Sequence, residues 1–162
     1  MSDKALYVMA GYDDNTENYL ANIQNKLYER GLIGTHTKNI PQHITLGSFS
    51  IDKEFELKNI LQELSKKIKP FEITFNHIGI FGGSKVLFVA PDTNQKLLDL
   101  KERFGDSYNW TPHTTMIIDN PDTICEALPI VMNEFTAFEG KITSLHLYEF
   151  FPTRHILSVD FE

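Results

Sequence analysis

One short pattern is written twice in this chain: Pro-Gln-His-Ile-Thr-Leu at 41–46 and Pro-His-Thr-Thr-Met at 112–116. Each copy has a proline just upstream, then His, any residue, Thr and an apolar residue. Residues two apart in a strand point to the same face. His43 and Thr45 therefore share one face, with Ile44 and Leu46 on the other. His113 and Thr115 repeat this, with Thr114 and Met116 opposite. A fold that accommodates both copies needs strands with one face on a core and one face free for polar groups.

The segments around the two copies run in the same order. Residues 5–12 read as a strand by composition. Asp14, with Glu17 three residues on, reads as a capping box. It opens a helix with Leu20, Ile23, Leu27 and Tyr28 on one face, stopped at Gly31. After the first motif strand, Asp52 is expected to cap a helix carrying Leu57, Ile60, Leu61, Leu64 and Ile68, ended by Pro70. Residues 71–80 alternate as a strand. The second half reads as a strand at 85–91, a helix at 93–105 ending on Gly105, the second motif strand, and a helix begun by Asn120 and Pro121. Residues 135–151 and 154–162 close the chain as two strands. No linker divides it, so residues 1–162 are expected to form a single α+β domain of two repeated halves. The strands suit antiparallel sheets with one face on helices and one open.

If the halves pair pseudo-symmetrically, two imidazoles and two hydroxyls meet in one groove. That set suits in-line displacement at phosphorus. A neutral His takes a proton from the attacking water or hydroxyl, and a protonated His gives one to the leaving oxygen. The Thr hydroxyls donate to the non-bridging oxygens. The competing account makes both histidines structural. Charge narrows the partners. With 15 basic and 22 acidic residues the chain carries −7, and no basic stripe of the kind that holds duplex or long nucleic acid. A small phosphorylated ligand is not excluded. No His, Cys and carboxylate cluster stands at metal-ligand spacing, and the FGG at 81–83 lacks the lysine of a phosphate loop.

The paired motifs, with HITLGSF at 43–49, resemble the 2H phosphoesterase superfamily, which includes proteins called 2′-5′ RNA ligases and cyclic nucleotide phosphodiesterases. Residues 5–12, the FGGSKVLFVAP hairpin and the closing LHLYEFFP and RHILSVDFE segments extend the likeness over nearly the whole chain. The resemblance implies a bilobal α+β fold, with two antiparallel sheets facing a central groove and helices outside. It implies His43 and His113 as the acid–base pair, Thr45 and Thr115 as phosphate ligands, and no metal or other cofactor. In cyclic-ester opening it leans towards His113 as base. The expected activity is hydrolysis of a cyclic phosphate or a 2′-5′-linked or cyclic nucleotide end. The alternatives are 2′-5′ RNA ligation and a binding module without turnover. Ligase-named members often carry a basic residue just after the second motif, where this chain has Ile118 and Asp119. They also tend to have Trp where this chain has Phe88.

Tyr7, Phe81 and Tyr148 are the aromatics placed to stack on a base or wall the groove, against plain core packing. His146 alternates with Tyr148 and shares its face. His36 is expected in solvent, His77 in strand or turn hydrogen bonds, and Cys125 buried in a helix. A lone cysteine, no signal peptide and no bilayer-length apolar run lead to the expectation of a cytoplasmic monomer. Its expected partner is a small phosphorylated or nucleotide substrate, RNA ends included, with no duplex nucleic acid or membrane.

Overall fold

Side-chain alternation decides which way each strand faces. In the computed structural model, which describes residues 4–83 and 85–162, β1 (Ala5–Tyr12) buries Leu6, Val8 and Ala10 against the helices. Tyr7, Met9 and Gly11 take its other face. Then come α1 (Asp14–Glu29), β2 (Ile44–Phe49), a 3₁₀ turn (Ile51–Lys53) and α2 (Glu54–Lys67). β3 (Phe71–Phe81), β4 (Val86–Pro91), α3 (Gln95–Glu102) and β5 (Thr114–Ile118) follow. α4 (Pro121–Glu134), β6 (Phe138–Phe150) and β7 (Arg154–Asp160) complete the chain.

The strands are antiparallel in the order β2-β1-β6-β3-β4-β5, with β7 also on β6. β6 is the joint. Residues 142–150 pair with β1, residues 138–142 with β3, and residues 144–149 with β7. The sheets of the two lobes are thus continuous through one 13-residue strand. Helices pack on one face through Leu20, Ile23 and Leu27 of α1, Leu57, Leu61 and Leu64 of α2, and Ile124, Ala127 and Val131 of α4. The edges β2 and β5 approach each other with no ladder between them, so the sheet curls without closing into a barrel. Among the described residues no helix is long and apolar enough to cross a membrane.

Some local expectations are corrected. Asp13, not Asp14, caps α1 by accepting from Thr16 N, which frees Glu17. Asp52 lies in the 3₁₀ turn, and α2 begins without a side-chain cap. Asn94 caps a shorter α3. Asn120 caps α4 with Pro121 first, as expected. Gly31 follows α1 at φ +78°, a conformation that suits glycine. Cys125 is exposed rather than buried, because the apolar face of α4 runs through Ile124, Ala127 and Val131 instead.

Candidate active site

The two motifs share more than a spacing. In β2, Met9 pairs with Thr45 and Val8 with Gly47, so Leu46 is an extra residue in the ladder. In β5, Phe88 pairs with Thr115 and Leu87 with Ile117, so Met116 is the extra residue. Each strand bulges at the apolar residue just after its Thr. A bulge sharpens local twist and re-aims side chains. Leu46 and Met116 are anchored in the core at 1% and 0% exposure, while His43, Thr45, His113 and Thr115 stay half-buried.

Each histidine is oriented in the same way. His43 Nδ1 lies 2.8 Å from Pro41 O, and His113 Nδ1 lies 2.9 Å from Thr111 O. A carbonyl only accepts, so Nδ1 carries the proton in both charge states. Nε2 is left as the atom that changes protonation. Both imidazoles are held below the usual histidine range, chiefly by burial. The carbonyl bonds pull the other way. The positive charge of His113 further lowers His43.

A hydrogen-bond chain ties the two motif strands together. Tyr12 OH donates to Thr114 Oγ1 at 2.6 Å, and Thr114 Oγ1 donates to His43 O at 2.9 Å. Burial raises the Tyr12 hydroxyl far above its ordinary pKa, so it stays a donor. The freed Glu17 carboxylate accepts from Gln42 N at 2.9 and 3.1 Å. Gln42 Nε2 donates to Gln24 Oε1, and Gln24 Nε2 to Met116 O. These groups fix the backbone before His43 and after Thr115. Sequence periodicity does not reveal them, since every partner is remote in the chain.

A cavity of about 240 Å³ is lined by His43, Thr45 and Thr115, with Tyr7, Phe150 and Phe151 among its aromatic walls. Its lining carries no Lys, Arg, Asp or Glu among the described residues, and Ile118 supplies apolar wall. His113 is outside the lining set and packs edge-on against Phe81, with ring centroids 4.7 Å apart. Phe88 approaches it at 5.2 Å. Of the three aromatics singled out from sequence, Tyr7 lines the cavity and Phe81 braces His113. Tyr148 is buried, stacked against Phe150 at 5.9 Å, and does not line the cavity. Phe150 and Phe151, not singled out, do line it.

His36 is not free in solvent. It lines the cavity half-buried, with Nε2 2.7 Å from Tyr28 OH and 3.1 Å from Gln24 Nε2. Burial and the Lys38 charge hold it down to about 4. His77 is exposed, with Nδ1 4.0 Å from Asp92 Oδ1. Among the described residues no three His, Cys, Asp or Glu side chains gather as a metal site.

Comparison with known proteins places this architecture. The 2′-5′ RNA ligase superfamily is matched over residues 13–150. No curated protein sequence matches the chain significantly. Among solved structures, E. coli LigT in its apo form is 16% identical, with 99% of each chain covered and a TM-score of 0.57. E. coli LigT complexed with 3′-AMP is 14% identical, covering 98% of this chain and 97% of that one, with a TM-score of 0.56. A Thermus thermophilus protein, TT0787, is 15% identical, covering 96% and 97%, with a TM-score of 0.61.

Proposed function

The chain belongs to the 2′-5′ RNA ligase superfamily, and from that premise we propose that it is a metal-independent phosphodiesterase. Its substrate is a cyclic phosphate or a 2′-5′-linked or cyclic nucleotide end, opened by His43 and His113 as an acid–base pair. One observation carries the reading: both motif histidines commit Nδ1 to a carbonyl two residues upstream and keep Nε2 for chemistry. Two purely structural histidines have no need of the same tautomer in the same place of each lobe.

The cavity favours a diester. Its lining offers no fixed cation, so the negative charge of the phosphate is met by one protonated imidazole and by hydroxyl donors from Thr45 and Thr115. One imidazolium suits a diester monoanion better than a dianionic monoester. The volume, about 240 Å³ and so somewhat below the roughly 300–1,000 Å³ usual for small-molecule sites, suits a single small ligand rather than a polymer. Tyr7, Phe150 and Phe151 offer the faces on which a base stacks. LigT complexed with 3′-AMP is a structural neighbour that holds such a ligand. Ile118 puts apolar wall beside Thr115, which favours hydrolysis over joining of polyanionic RNA ends.

For cyclic-ester opening we assign His113 as base and His43 as acid, as the resemblance suggests. Burial lowers both rings, and the repulsion between their charges acts on each, so the pair holds one proton more readily than two. The test is a panel of 2′,3′-cyclic mononucleotides with and without EDTA, with products resolved by chromatography. Ring opening that survives exhaustive chelation within about twofold supports the reading. Loss restored by a divalent ion defeats the two-histidine mechanism.

A further inference from the structure

The first lobe carries one more imidazole, His146, which lines not the cavity itself but an adjoining recess that shares Ile40 and Pro41 with it. Across the ladder, Met9 lies between Thr45 of β2 and His146 of β6, and Gly11 lies opposite Ser144. The β1–β2 ladder ends at the Ala10–Ile44 pair, and Gly11 and His43 are the next residues on the two segments. A Cβ on Gly11 would fall 2.3 Å from His146 Nε2 and 2.4 Å from Ser144 Oγ. The His146 ring therefore leans across β1 with Nε2 over Gly11, near enough to His43 for the two charges to repel.

The ring is held from behind. Ser158 Oγ lies 2.7 Å from His146 Nδ1 and 2.7 Å from His155 Nε2. The hydroxyl has one proton, so it donates to one ring and accepts from the other. Either way Nδ1 is occupied, and Nε2 has only a long 3.5 Å contact with Ser144 Oγ. Burial first, then the charges of His43 and His155, hold His146 down to about 4, against the pull of Asp160. A neutral ring here orients a partner without competing for its proton. The other lobe has no equivalent. Its matching row runs Thr115–Phe88–Gly79, and the Phe88 ring covers Gly79.

We propose that His146 is a third functional histidine, whose Nε2 hydrogen-bonds the apical oxygen on the His43 side of phosphorus. That oxygen exchanges its proton with His43, and His146 holds it on the in-line axis. The inference rests on the reading of His43 and His113 as the acid–base pair.

The test compares wild type, His146→Ala, His146→Gln and Gly11→Ala on 2′,3′-cyclic AMP, with His113→Ala as the control for that reading. His146→Ala should lower kcat about tenfold with KM within about threefold, the scale of one hydrogen bond made in the transition state. Gln, whose amide reaches close to the place of Nε2, should recover part of the rate. Gly11→Ala should copy the loss, because its Cβ displaces the ring without removing it. Thermal melts separate this from unfolding, and if the Ala variant does not fold, the Gln and Gly11 variants carry the test. Full kcat in folded His146→Ala, with His113→Ala inactive, overturns the inference and leaves the reading intact. If wild type opens no cyclic ester, the reading fails, and the inference is judged by imidazole ¹⁵N shifts on titration with 3′-AMP. Movement of His146 Nε2 together with His43 and His113 supports it. Movement of the pair without His146, or of none of the three, overturns it.

Discussion

Each motif histidine surrenders Nδ1 to a carbonyl and keeps Nε2, so its removal should cost a proton-transfer step. His43→Ala and His113→Ala are each expected to lower kcat about 100-fold or more. Thr45→Ala and Thr115→Ala should cost about 1–3 kcal/mol in kcat/KM, because water can partly replace a hydroxyl donor. His77→Ala, which removes an exposed ring, serves as the silent control. Steady-state kinetics on folded variants checks all five. Leaving-group dependence then assigns the roles. With His43 as acid, a substrate whose leaving alcohol is much more acidic should rescue His43→Ala far more than His113→Ala. Preferential rescue of His113→Ala gives the opposite assignment. What the sequence makes legible is the pairing of each His with its Thr, because strand period two puts them on one face. The place of His36 is not legible, since its burial depends on Tyr28 and Gln24 in α1. Strand alternation likewise does not reveal that Phe150 stacks on Tyr148 and takes the cavity wall.

Between elements, the site depends on β2 and β5 meeting without a ladder, and Thr114 does the joining. Thr114→Val removes the bond to His43 O and leaves the Tyr12 hydroxyl buried without its acceptor. Tyr12→Phe removes one bond and leaves the Thr114–His43 link in place. Thr114→Val is therefore expected to cost about 1–3 kcal/mol of stability and Tyr12→Phe about 0.5–1.5, read by denaturant melts. Only the Thr114 variant should also lower kcat. Equal kinetic effects would mean that the link does not position His43. Sequence placed Thr114 correctly on the core face but offered no partner for it, 102 residues from Tyr12. The bulges were hidden too. Their one local sign is that Met116 and Ile117 are consecutive apolar residues, both buried, where alternation would expose one. The Asp14 capping box failed because Asp13 already served N–H groups of the first turn, and Glu17 was taken by Gln42.

At the scale of the whole molecule, one curled sheet carries two lobes, and the repeated element order made that architecture readable before the β6 joint could be seen. Burying histidines in the groove has a consequence for stability. His36, His43, His113 and His146 all titrate below the ordinary histidine value when folded. The folded state thus binds fewer protons than the unfolded chain as pH falls past about 6.5. Their contribution is fully present above that value and is lost as pH falls through their folded pKa values, to about 4 for His36 and His146. Glu17, raised by burial, opposes this with a single group. Melting temperature should be level between about pH 7 and 8 and fall steadily below about 6.5. A level profile down to pH 4 would contradict the buried, neutral state of these rings. The same electrostatics would shape the proposed catalysis, in which one imidazole is neutral and its partner charged. The most direct measurement is kcat/KM against pH for a 2′,3′-cyclic mononucleotide in the presence of EDTA. The expected profile is bell-shaped, with both limbs belonging to the pair and its maximum below about pH 6.5. Activity that climbs without a maximum to pH 9, or that vanishes with the chelator, would contradict paired-histidine catalysis.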